Sequence, residues 1–187
     1  MEEYNLFPTP VMEFDFTNHP DLPKVLDIVN QLKISPHSLL KNGVSSYSST
    51  ERILFHPDLT SIKNDFQKCV DEYSVNIKIN NSYIIQSWLN IMENNGQTTL
   101  HHHGSSVVSG AFYPVLEENT CNLLFRSPLY TAMTFESSLP TPSNHFQPDF
   151  VMPIKKDHLY IFPSWLQHHT EVNKGQKRVV ISFNTKL

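Results

Sequence analysis

A chain of 187 residues, 39% hydrophobic and 11% aromatic, is long and apolar enough to bury one substantial core. Its formal net charge of −4, with no cluster of lysines or arginines, argues against a dedicated nucleic-acid or membrane-surface protein. No apolar run approaches the ~20 residues needed to span a bilayer, and the start, with Glu2 and Glu3, lacks the basic-then-apolar pattern of a secretory signal. The two cysteines, Cys69 and Cys121, read as ordinary thiols of a reducing compartment, so a cytoplasmic location is expected.

Residues 6–11 are expected to be extended, because Pro8 and Pro10 each push the preceding residue out of the helical region. Residues 18–21 then offer helix-start chemistry, and Leu22, Val25, Leu26, Val29 and Leu32 repeat at helical spacing. Residues 39–50 are rich in serine and contain Gly43, which reads as a loop. A second helix is expected from Pro57-Asp58, with Asp58 as N-cap and Leu59, Ile62, Phe66, Val70 and Tyr73 as its buried stripe. From Ile77 onward short β-type runs take over, at residues 83–92, 107–115, 122–125, 158–162 and 179–183. Asn94-Asn95-Gly96 reads as a tight turn, and Glu117-Glu118 as a solvated one. Residues 127–153 hold five prolines and form an expected long loop of the functional or mobile kind. Arg126-Ser127-Pro128, at its entry, is expected to border the active-site pocket. No repeat or linker divides the chain. The expected fold class is mainly β with flanking α: an antiparallel sandwich or jelly roll backed by N-terminal helices, in one domain over residues 1–187.

His101-His102-His103 stands just ahead of a strand-like segment. Successive side chains on a strand point to opposite faces, so His101 and His103 share a face and His102 turns away. Two imidazoles so placed make two arms of a metal site, and imidazole suits iron, zinc, copper and nickel. A third arm must come from elsewhere. His168 and His169 are candidates, and in an extended segment only one of them joins the first pair. Arg178 opens the last strand and shares a face with Val180 and Ser182. An arginine turned into a β assembly is costly unless it meets an anion, and its planar fork binds carboxylate in a bidentate way. A metal, an inward arginine and a hydroxyl together suit a small dicarboxylate that chelates the metal at one end. Trp88 and Trp165 read as core or pocket wall. His19, His37, His56, His145 and His158 are scattered and carry no assigned chemistry.

The ordered set of these features resembles a family of 2-oxoglutarate/Fe(II) oxygenases common in bacteria and tailed phages. The likeness runs from Leu6-Phe7-Pro8-Thr9-Pro10 through Gly43-Val44-Ser45-Ser46, Trp88-Leu89-Asn90 and Gly96. It continues in His101-x-His103-x-x-Ser106-x-x-Ser109-Gly110-x-x-Tyr113, and closes with residues 162–168, Arg178 and Ser182-Phe183-Asn184. The resemblance implies a double-stranded β-helix, a cupin-like jelly roll, with iron near one mouth. It makes His101, His103 and His168 the candidate Fe(II) ligands. It pairs Arg178 with the distal carboxylate of the cosubstrate 2-oxoglutarate, assisted by Ser182 or Tyr113. The implied reaction consumes molecular oxygen, decarboxylates 2-oxoglutarate to succinate and hydroxylates a substrate, in the host cytoplasm if the chain is phage-encoded.

His103 stands where the wider superfamily carries the carboxylate of its two-histidine, one-carboxylate triad. Three imidazoles also suit a cupin-like metal enzyme that does not use 2-oxoglutarate, or a zinc enzyme. A non-catalytic β-sandwich binding module, with the histidines as a surface patch, is the third reading. For the primary substrate, a peptide side chain, a nucleotide base and a small metabolite are all compatible with the sequence.

Overall fold

A computed structural model describes residues 1–2, 8–49, 52–130 and 147–187. Ten strands and two α-helices follow one another over these residues. They are β1 (Met12–Asp15), α1 (Leu22–Val29), β2 (Ser35–Pro36), β3 (Leu40–Ser45), α2 (Thr60–Asn76), β4 (Tyr83–Thr98), β5 (Val108–Leu116), β6 (Leu123–Arg126), β7 (Asp149–Met152), β8 (His158–Pro163), β9 (His168–Thr170) and β10 (Arg178–Lys186). Seven strands form one sheet in the order β1-β8-β5-β10-β4-β3-β2, and three form a second in the order β7-β6-β9. Every pairing is antiparallel.

The period-2 alternation of β10 builds two interiors at once. Val179, Ile181 and Phe183 join a core with Phe112, Leu159 and Ile161, covered by Val25 of α1 and by Ile62, Phe66, Val70 and Tyr73 of α2. The alternate residues face the small sheet. There Ala111, Tyr113, Tyr160, Phe162 and Val180 pack against Leu123 and Phe125. The large sheet is thus sandwiched between helices and a second sheet, the jelly roll expected from the sequence. Each fully buried stripe residue of α2 contributes about 1.5–3 kcal/mol by leaving water. Among the described residues, no helix is long and apolar enough to cross a membrane.

Several sequence expectations are corrected. The stripe of α2 is buried as read, but Leu26 of α1 is exposed and Ile28 takes its place in the core. Asp58 is not an N-cap: Pro57–Leu59 form a 3-10 turn ahead of α2, and the His56 ring accepts from the Asp58 amide. Residues 39–50 are not a loop throughout, because β3 pairs with β4 and uses Asn42 at φ 47 where the pairing slips. Asn94-Asn95-Gly96 does not reverse the chain. Met92 pairs with Gly43 and Gln97 with Lys41, so residues 93–96 bulge out of β4, with Asn95 at φ 62. The Asn95 amide donates to the Asn173 carbonyl, and the Asn173 amide donates to the Gly96 carbonyl. Strand pairing decided that the chain runs on. Residues 127–153 contain β7, which pairs with β6; residues 131–146 of that stretch, and residues 3–7 of the extended start, lie outside the described residues.

Candidate active site

Main-chain pairing brings the two histidine segments together. The His101 amide donates to the His168 carbonyl at 3.0 Å, and the His168 amide donates back at 2.9 Å. Residues opposed in this way project to one face, and the two imidazole centroids lie 4.3 Å apart. His103 joins them at 5.2 Å from His101 and 5.1 Å from His168. One ring nitrogen from each lies within 4.8 Å of those of the other two. His102 is exposed, and His169, the next residue on β9, turns the other way to meet Asp149 at 3.4 Å.

The tautomers follow from the partners. A carbonyl oxygen only accepts, so His101 Nδ1–H donates to Thr99 O at 2.8 Å and His168 Nδ1–H donates to Leu166 O at 2.9 Å. Their Nε2 lone pairs are left free, and Nδ1–H bonds of this kind orient metal-binding histidines. His103 Nδ1 lies 2.8 Å from Ser109 Oγ. Burial pushes the His103 imidazole down to about 4, helped by the charge of nearby His101. Burial likewise lowers His101, and holds His168 well below its ordinary range together with its two neighbours. All three rings are therefore neutral at neutral pH, with lone pairs available to a cation. The donor set fits a divalent borderline metal ion such as Fe(II).

The cluster opens into a cavity of about 460 Å³. One wall carries Arg178, Val180, Ser182 and Asn184 of β10, as alternation demands, beside Tyr113 of β5. β5 bulges at Tyr113–Pro114, where two residues oppose Val180 alone, since proline has no N–H to give the ladder. The Tyr113 hydroxyl lies 3.3 Å from Arg178 Nη2, and the guanidinium sits 4.9 Å from the Tyr113 ring centroid. Arg178 is 2% exposed. Its Nε has no hydrogen-bond partner, and among the described residues no carboxylate neutralises it. A buried cation without a counter-ion is costly unless an anion completes it. Burial also raises the Tyr113 hydroxyl, which keeps it protonated.

Of the opposite wall only Trp88 was legible in the sequence. His37 and Leu39 lead into β3, Tyr47 follows it, and Gln86, Trp88 and Asn90 come from β4. Rings step along it: His37 to Tyr47 at 5.1 Å, Tyr47 to Trp88 at 5.2 Å, and Trp88 to His103 at 5.6 Å. No Asp or Glu among the described residues lines the cavity. Trp165 does not belong to it. That residue is 52% exposed and lines a separate groove with His102, Tyr130 and the Arg126-Ser127-Pro128 turn.

A family model described as "Putative 2OG-Fe(II) oxygenase" matches residues 86–184. In structure, the chain is similar to an oxidoreductase of the 2OG-Fe(II) oxygenase family from Burkholderia pseudomallei, at 9% identity and TM-score 0.66, covering 94% of this chain and 84% of that one. It is also similar to HygX from Streptomyces hygroscopicus, whose structure holds nickel, 2-oxoglutarate and hygromycin B, at 8% identity and TM-score 0.65, covering 95% and 82%. A third likeness is to the viral collagen prolyl hydroxylase of Paramecium Bursaria Chlorella virus-1 in its 2-oxoglutarate complex, at 12% identity and TM-score 0.61, covering 94% of each chain. At such identities these likenesses establish the jelly-roll fold. No curated protein sequence matches the chain.

Proposed function

The chain belongs to the 2OG-Fe(II) oxygenase family, and from that premise we propose that it is a hydroxylase in which His101, His103 and His168 hold Fe(II) and Arg178 binds 2-oxoglutarate. The overall change is balanced: 2-oxoglutarate, molecular oxygen and a substrate C–H become succinate, carbon dioxide and a substrate C–OH. The metal, when bound, supplies the redox chemistry and the open coordination positions that this change requires.

The observation that carries the reading is Arg178. Its guanidinium is buried in the cavity and, among the described residues, lacks a carboxylate and has an unpaired Nε. The distal carboxylate of 2-oxoglutarate is the anion of matching shape, because a planar fork and a carboxylate meet through two parallel bonds. Tyr113 holds the guanidinium from the side through its hydroxyl and ring face, and the Ser182 hydroxyl shares the Arg178 face of β10. Three neutral imidazoles leave a bound dication uncompensated. With Arg178 the pocket then favours a dianion, which 2-oxoglutarate is. The far wall of Tyr47, Gln86, Trp88 and Asn90 offers aromatic faces and amides rather than charges, which suits an uncharged substrate group.

Anaerobic titration with Fe(II) and then 2-oxoglutarate tests this. A visible metal-to-ligand charge-transfer band and succinate formation in air are expected in the wild type. With Arg178→Ala both should be lost at matched 2-oxoglutarate. Iron binding with no band and no succinate in the wild type would reject the reading, and so would full activity of Arg178→Ala.

A further inference from the structure

The three histidines of the cluster rest on two different kinds of support. His101 and His168 each lean on a main-chain carbonyl, which no side-chain change can remove. His103 leans on side chains, the hydroxyl of Ser109 at its Nδ1 and Asn184 beside it. Ser109 is fully buried, and its Oγ also lies 2.7 Å from Ser164 Oγ and donates to Asn184 Oδ1 at 2.8 Å.

A hydroxyl has one proton to give and two lone pairs with which to receive. Asn184 Oδ1 only accepts, so the Ser109 proton is committed to it. Ser109 must then receive from its other two neighbours: from Ser164 O–H and from His103 Nδ1–H. The count closes, and it leaves His103 with its Nε2 lone pair free. All three histidines of the cluster thus present the same tautomer, although the third reaches it by a different route. The arrangement is fixed by strand register. Asn184 of β10 stands directly opposite Ser109 of β5, and β8, on the other side of β5, ends one residue before Ser164. The core that sets this register therefore also sets the proton direction.

We infer that Ser109, with its proton directed by Asn184, is a positioning residue that selects the metal-binding tautomer and ring orientation of His103. The need for it follows from the residue type. A carboxylate presents lone pairs on both oxygens without any choice of tautomer. An imidazole in the same position has one nitrogen protonated, and a wrong choice puts N–H toward the metal. The inference rests on reading the cluster as a metal centre, and its test separates the two.

Nitrogen-15 spectra of the histidine rings in the full-length, metal-free protein report each tautomer. Co(II) titration reports affinity. The wild type should show His103 as a single Nδ1–H tautomer and bind Co(II). Ser109→Ala should mix the tautomers at His103, leave those of His101 and His168 unchanged, and weaken Co(II) binding by roughly 10–100-fold. Ser109→Thr keeps the hydroxyl and should restore both readouts toward wild type. Asn184→Ala releases the Ser109 proton toward His103 and should raise the Nε2–H tautomer with Ser109 still present. Ser87→Ala removes a buried hydroxyl that only accepts from the Leu54 amide on the helix-facing side; it should cost stability without moving either readout. A Ser109→Ala protein with a single Nδ1–H His103 and wild-type Co(II) affinity overturns the inference. If that variant does not fold, an unchanged His103 tautomer in Asn184→Ala overturns it equally. A wild type that binds no Co(II) rejects the metal centre, while tautomer mixing in Ser109→Ala would still support the hydrogen-bond device.

Discussion

Gly110 offers a quantitative test of how the core reaches the active site. It lies opposite Phe183 in the β5–β10 pairing. A Cβ at Gly110 would stand 2.2, 2.3 and 2.8 Å from three atoms of the Phe183 ring. An ordinary carbon–carbon contact is ~3.5–4.0 Å, so the ring would have to retreat by more than about 1 Å. It has no room to do so: Phe183 is 0% exposed and packs against Phe66, which in turn packs against Phe16 and Phe112. Overpacking of this kind costs about 1–3 kcal/mol, while replacing a strand glycine returns only about 0.5–1 kcal/mol. Gly110→Ala should therefore destabilise by about 0.5–2 kcal/mol net, lowering a urea midpoint by roughly 0.3–1 M at a typical m-value. Phe183→Leu alone should cost about 1–2 kcal/mol through the lost ring volume. In the double variant the methyl occupies part of that space, so the two losses should fall short of additivity by more than about 0.5 kcal/mol. Equilibrium urea unfolding of the four proteins, monitored by tryptophan fluorescence, measures all three quantities. A neutral or stabilising Gly110→Ala, or strict additivity, would refute the claim that this glycine is required by the Phe183 ring. Phe183 is flanked by Ser182 and Asn184, which both line the cavity, so a shift of the ring should also weaken Co(II) binding.

Other expectations are open to measurement. Under inert atmosphere with Mn(II), 2-oxoglutarate at 100 times its Kd should stabilise the wild type by about 2.7 kcal/mol and leave Arg178→Met without a thermal shift; an equal shift in both would remove Arg178 from the cosubstrate site. The histidine cluster should make the metal-free protein acid-sensitive. The three folded-state values lie below the unfolded value of ~6.5, so as pH falls below it the unfolded chain takes up protons ahead of the folded one, and for His103 this holds down to about 4, where it titrates. His103 should lower stability by up to about 1.4 kcal/mol per pH unit inside that window and by nothing above it. Urea unfolding across pH 4–8 should show this slope, reduced in His103→Gln; an identical slope in the variant would contradict it. His102→Ala should change Co(II) affinity by less than about twofold, because its ring is exposed and outside the cluster. A tenfold loss would mean that the His102 ring turns toward the cluster and takes part in it.

Much of this protein is legible in its residues taken in order. Periodicity of 3.6 located the buried stripe of α2, and periodicity of 2 located five strands and split the triple histidine into an inward pair and an outward His102. The same alternation put Arg178 and Ser182 on one face, since it depends only on the backbone and not on what lies across the cavity. Other features were settled by contacts far apart in sequence. Strands β1, β3, β7 and β9 are short or polar and have weak signals of their own; they are strands because neighbours supply their hydrogen bonds. Asn94-Asn95-Gly96 carries a turn signal, yet β3 pairs with β4 both before and after it and converts it to a bulge. His168 rather than His169 faces the cluster because β9 is pinned to His101 on one side and to β6 on the other. The wall of His37, Tyr47 and Gln86 has no sequence pattern at all, because side chains there share a cavity and not a spacing. The Ser109 network is the sharpest case. Each of its three polar residues is unremarkable alone, and only the register of β5 against β10 and β8 brings them close enough for one proton to fix the state of a histidine. Sequence determined which chemical groups are available and which face of a strand each one takes. Tertiary structure decided which of them meet, because hydrogen bonds and lone pairs act over ~3 Å while these residues lie scores of positions apart along the chain.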